Sequence, residues 1–97
     1  MTLTPGDLRS AEDVRQFIQQ ELCEKENLVL NQFPISETVL HKRGQVCGIQ
    51  YVLHGPRSVK LGAVWACDTN VIYLYDAAGQ RYEKLQLRQR ILADAAA

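Results

Sequence analysis

Apolar residues Ala11, Val14, Phe17, Ile18 and Leu22 recur at three- and four-residue spacing, the pattern of a helix with one apolar stripe. Glu12, Arg15, Gln16, Gln19 and Gln20 fall on the opposite side. Ser10, followed three residues later by Asp13, is an acidic form of the capping box, in which side-chain oxygens take up the unpaired N–H groups of a first turn. A helix is predicted over 11–25, with Asn27 closing it. Leu28-Val29-Leu30 then reads as a connector with core contacts, because Pro34 cannot donate to a sheet ladder.

The period then shortens to two. Residues 36–42 predict an edge strand, and Lys42-Arg43-Gly44-Gln45 carries the glycine of a tight hairpin turn. Cys47, Ile49, Tyr51 and Leu53 alternate onto one face, as do Val59, Leu61, Ala63, Trp65 and Cys67 in the next strand. Two odd-numbered sets share a face of an antiparallel pair only across an odd-length loop. His54 to Ser58 satisfies that and pairs Leu53 with Val59 and Cys47 with Trp65. A Thr69-Asn70 turn would continue the core face, placing Cys67 opposite Ile72 and Trp65 opposite Leu74. On the reverse face Tyr73 and Tyr75 then lie beside Ala66 and Val64, near Val52. Asp76 to Arg81 reads as a type I turn closed by Gly79 in the left-handed region. Tyr82, Leu85 and Leu87 predict a further strand, and Leu87, Ile91 and Leu92 a short last helix.

The string YLYDAAGQR resembles one unit of the YD repeats of large β-rich secreted or surface proteins. Over nine residues, occurring once, the resemblance implies shared turn chemistry. The expected fold is α+β: an N-terminal amphipathic helix packed on an antiparallel meander of four or five strands. Ninety-seven residues, 46% hydrophobic and 23% charged, fit a single domain over 1–97, with 1–9 expected to be flexible and 93–97 frayed. A domain this small buries a modest share of its surface, which makes pairing with another copy a natural way to gain burial.

Charge alters the picture because it is unevenly placed. Residues 1–40 hold seven acids and three bases, residues 41–97 eight bases and four acids, and the chain as a whole is neutral. The plain reading is an acidic helix beside a basic sheet. The opening residues lack a charged n-region and an apolar h-region, so no secretory signal is expected. No uncharged apolar run approaches the roughly 18–20 residues of a bilayer span. Three cysteines, an odd number without scaffold density, fit reduced thiols and a cytoplasmic setting.

Candidate chemistry is sparse. No C-x-x-C, H-E-x-x-H or finger-like spacing occurs, so no metal or cofactor is expected. Cys47 and Cys67 fall on the core face, where cysteine packs as a small hydrophobe. The best nucleophile-and-base pair the chain offers is Cys47 with His41, approaching diagonally across the first hairpin without an orienting third group. It points away from an enzyme. Asp68 and Asp76 bracket one strand as turn formers. Two binding readings remain. The partly apolar second face, with Val64, Ala66, Tyr73 and Tyr75, suits a protein partner or a homodimer, since a one-sided sheet would carry polar residues there. Alternatively, Lys42, Arg43, Arg57, Lys60 and Arg81 with the tyrosines suit nucleic acid, cations meeting phosphates and rings stacking on bases.

Overall fold

A computed structural model describes residues 4–29, 32–89 and 91 of the chain. Helix α1 spans Ala11–Lys25, as its stripe predicts. Ser10 Oγ accepts the Asp13 N–H at 3.2 Å, and the Asp13 carboxylate accepts the Arg9 N–H at 3.0 Å. At the other end Asn27 takes φ 55°, and the N–H groups of Asn27 and Leu28 donate to the carbonyls of Glu24 and Cys23. This is a Schellman closure with asparagine in the position glycine usually fills.

Five strands follow: β1 (Ile35–Lys42), β2 (Gln45–His54), β3 (Lys60–Ala66), β4 (Val71–Tyr75) and β5 (Arg81–Gln86). They lie side by side in chain order, every pair antiparallel. The fold is therefore α+β, one N-terminal helix against an open five-stranded meander. Arg43 and Gly44, at φ 54° and 79°, form the two-residue turn between β1 and β2, whose twist matches that of the strands it joins. The loop after β4 also matches expectation: Asp76 Oδ1 accepts the N–H groups of Ala78 and Gln80, and Gly79 sits at φ 82°.

Two registers differ from expectation by two residues. Leu53 pairs with Leu61 and Ile49 with Trp65, in place of Leu53 with Val59 and Cys47 with Trp65. His54 is not a loop residue: it ends β2, donates its N–H to the Pro34 carbonyl and pairs with Lys60. The five-residue loop is therefore Gly55 to Val59. Between β3 and β4, Trp65 faces Ile72 and Ala63 faces Leu74, because the reversal takes four residues, Cys67 to Asn70, and not two. Asn70, at φ 56°, explains the longer loop. Its Oδ1 accepts the Trp65 indole N–H at 3.1 Å, while its backbone carbonyl accepts the Leu87 N–H at 2.9 Å. A shift of two preserves which face each side chain occupies, so both face assignments stand.

Cys47 departs from its expected place. The β1–β2 register skips from Leu40–Gly48 to His41–Val46, leaving Cys47 as the unpaired residue of a bulge. Gly48 beside it must be glycine, since a Cβ there would lie 2.7 Å from the Trp65 carbonyl oxygen.

One core lies between α1 and the sheet. Val14, Phe17, Ile18 and Leu22 pack on Ile49, Tyr51, Leu53, Leu61, Trp65 and Leu74, all exposed by 2% or less. Leu8, in the stretch expected to be flexible, is fully buried in the same core. Gln19 and Gln20 are also buried, against the expectation of a polar outer side. The helix is sunk deeper than a single stripe implies because Leu8, Leu28 and Phe33 all pack on the same core as α1. Leu87 and Ile91 join that core too. The remainder of the expected last helix, residue 90 and residues 92–97, lies outside the described residues.

Candidate functional site

Alternation along the strands decides what the helix cannot cover. Odd positions of β2 and β3 and even positions of β4 face α1, so the reverse face carries Val52, Gly62, Val64, Ala66, Tyr73 and Tyr75. All six are half-buried. Tyr73 lies opposite Val64 and Tyr75 opposite Gly62, one pairing away from the expected Ala66 and Val64; Ala66 lies opposite Val71. The four expected interface residues thus share one face, with corrected neighbours. The described end of the chain does not cover them. Gln89 Nε2 donates to the carbonyls of Pro5 and Leu8, and Leu87 and Ile91 are buried in the helix-side core.

A groove of about 470 Å³ runs over this face, with Val52, Gly62, Val64 and Tyr75 along it and Lys60 and Asp76 at one end. Gly62 creates it. A Cβ at Gly62 would meet only the Tyr51 carbonyl oxygen, at 3.6 Å, so the backbone does not demand glycine there. An open glycine in a central strand is where another chain can approach closely.

Cations frame the apolar strip. The Arg81 guanidinium lies 5.1 Å from the centre of the Tyr73 ring, a cation–π contact. Lys84 pairs with Tyr73 on the same face, and Lys60 lines the groove. None of the strand positions on this face holds a carboxylate. Of the basic residues expected to act together, Lys60 and Arg81 share this face and one end of the sheet. Arg57 sits in the adjoining loop at φ 57°, while Lys42, the last residue of β1, and Arg43, in the turn after it, lie at the far end.

The helix side has the opposite character. Glu12, Glu24, Glu26, Glu37 and Glu83 are exposed there and Glu21 is half-buried. Arg15 pairs with Glu12 and lies 3.9 Å from Glu37. Burial pushes the Glu21 carboxyl above its ordinary range, and the like charges of Glu24 and Glu83 push it further.

The residues with potential reactivity are dispersed. His41 is exposed at the end of β1 opposite Val46, and no hydrogen bond joins it to Cys47. Cys47 and Cys67 are bound through their backbones, the Cys67 N–H donating to the Cys47 carbonyl at 2.9 Å. Burial, then the Asp68 charge, pushes the Cys67 thiol up to about 11, and burial raises Cys23 as well. These thiols stay protonated at neutral pH. Sequence reasoning missed one pair: Ser36 Oγ and His54 Nε2 lie 3.0 Å apart, joined across β1 and β2. Eighteen residues separate them, and only the corrected register reveals the contact. Among the described residues no third group holds the other imidazole nitrogen, so the pair has half of an activated-nucleophile arrangement.

Among the described residues no cluster of His, Cys, Asp and Glu is placed to hold a metal ion, and no helix is long and apolar enough to cross a membrane. Comparison of the chain with protein-family models, with curated proteins and with solved structures found no match.

Proposed function

We propose that this chain is an assembly module, a protein–protein interaction domain that associates with a second copy through the sheet face α1 leaves bare. One observation carries the reading: the described C-terminal residues dock on the helix side, leaving Val52, Val64, Tyr73 and Tyr75 as a contiguous uncovered strip. Apolar patches rimmed by polar side chains are characteristic of contact surfaces, and a domain of this length gains proportionally from added burial. Three unpaired cysteines support a reducing, cytoplasmic setting. Size-exclusion chromatography with light scattering tests the proposal. At micromolar concentration the wild type is expected above the 11.0 kDa monomer mass, and Tyr73→Glu at that mass. A wild type that stays monomeric refutes self-association.

A second reading is favoured by the cations and the absence of carboxylates at the strand positions of this face. A basic sheet with two tyrosines suits single-stranded nucleic acid. It predicts oligonucleotide binding at low salt that weakens as salt rises and disappears with Arg57→Glu and Lys60→Glu. No binding of any oligonucleotide at low salt removes it.

A further inference from the structure

We propose that copies associate head to tail: the basic, uncovered sheet face of one copy receives the acidic, Val29-bearing end of α1 from the next. This rests on the self-association just proposed and specifies its geometry and partner surface.

Three observations converge. A symmetric face-to-face dimer would set Lys60, Arg81 and Lys84 against their own equivalents, with only Asp76 at the groove end to offset them among the described residues. Like charges brought together at an interface disfavour that arrangement. The complementary charge exists on the same molecule. Glu24 and Glu26 are exposed at the end of α1, with Glu21 and Glu83 close by. An apolar knob accompanies them. Val29, just past the Schellman closure, is 61% exposed, more than Val39 at 37% or Val46 at 43%. The Gly62 groove is an apolar recess with Lys60 and Asp76 at its end, and its volume of about 470 Å³ exceeds that of a valine side chain. The knob follows directly on α1, which packs on the other face of the sheet from the groove. A contact between two different surfaces is heterologous: it closes into a ring if the rotation between copies permits, and otherwise leaves each copy with one free end.

Two folded variants separate the alternatives. One reverses the sheet face (Lys60→Glu with Arg81→Glu), the other the helix end (Glu24→Lys with Glu26→Lys). All four positions are exposed, so both variants are expected to fold, which circular dichroism melts check. The wild type is expected to grow beyond a dimer with concentration and to shrink as salt rises. Each variant alone is expected at the 11.0 kDa monomer mass, and an equimolar mixture is expected to regain at least twice that mass, because complementary pairs are restored. If the helix-end variant alone still associates like the wild type, head-to-tail geometry is wrong while self-association stands. If both variants are folded monomers and the mixture stays monomeric, the complementarity is likewise refuted. A monomeric wild type instead overturns the underlying function, and oligonucleotide binding by it and by the helix-end variant alone would assign the face to nucleic acid.

Discussion

Trp65 and Val64 are neighbours on β3, yet they live in different media. The Trp65 side chain is fully buried under α1, with its indole N–H satisfied by Asn70. Val64 points the other way, onto a groove that nothing in the described chain fills. Within the reverse face two glycines differ in turn: Trp65 O forces Gly48 to be glycine, whereas above Gly62 there is room for a side chain. One face of the sheet is committed to folding. The other retains apolar and aromatic surface that folding does not use, and that unused surface is where function is sought.

The contrast breaks first, if it breaks, on side-chain truncation. Trp65→Ala removes the largest buried side chain and is expected to cost about 3–5 kcal/mol in urea denaturation, a large part of the stability such domains possess. Val64→Ala is expected to cost under about 1 kcal/mol in the same measurement, because the solvated face repacks freely. Equal losses would mean that the two faces are equally buried.

A smaller effect separates the two glycines. Gly48→Ala is expected to lower the denaturation midpoint by an amount equivalent to about 1–3 kcal/mol, since the new methyl group meets a backbone oxygen that cannot move without disturbing the β2–β3 ladder. Gly62→Ala has no such obstacle and is expected to stabilise by about 0.5 kcal/mol through the unfolded chain.

Asn70→Ala tests the tether between the core and the C-terminal segment. It strands the Trp65 indole N–H and removes donors to the Leu87 and Gln89 carbonyls, at an expected cost of about 1–2 kcal/mol. Tryptophan fluorescence should report the altered indole environment alongside the loss.

The smallest effect belongs to the acidic side. A carboxyl whose pKa is higher in the folded than in the unfolded state stabilises the fold when protonated, and that contribution is lost as pH rises through the folded-state pKa. Glu21 is such a group, raised by burial and by Glu24 and Glu83. Glu21→Gln is therefore expected to raise stability by ~0.3 kcal/mol at neutral pH, discounted for its partial exposure. It should leave stability unchanged in acid, where Glu21 is protonated. Parallel melts at the two pH values check the sign.

Much of this fold was legible from period and parity. The helix ends could be read because Ser10, Asp13 and Asn27 have local capping chemistry, and the hairpin at Arg43-Gly44 because its turn demands positive φ. Face assignment survived the register errors because both shifts were even. What could not be read depended on long-range partners. His54 remained in β2 because Pro34 and Ser36 offered hydrogen bonds, and the loop before β4 lengthened because Asn70 reaches Trp65 and the chain end. Burial of Gln19 and Gln20 likewise depends on what flanks the helix. The uncovered face was visible in the alternation of Val64, Ala66, Tyr73 and Tyr75. Its groove was not, since a glycine in sequence does not say whether the space above it is occupied.

Hydroxyl-radical footprinting of the intact protein, read by mass spectrometry over a concentration series, tests the two-faced account most directly. Tyr51 is fully buried and Tyr82 half-buried against the core, with its hydroxyl buried, whereas Tyr73 and Tyr75 lie on the uncovered face. The account predicts that Tyr51 and Tyr82 are protected at every concentration, while Tyr73 and Tyr75 are oxidised in dilute protein and become protected as copies associate. Oxidation of Tyr73 and Tyr75 that does not change with concentration, or equal oxidation of all four rings, would contradict it.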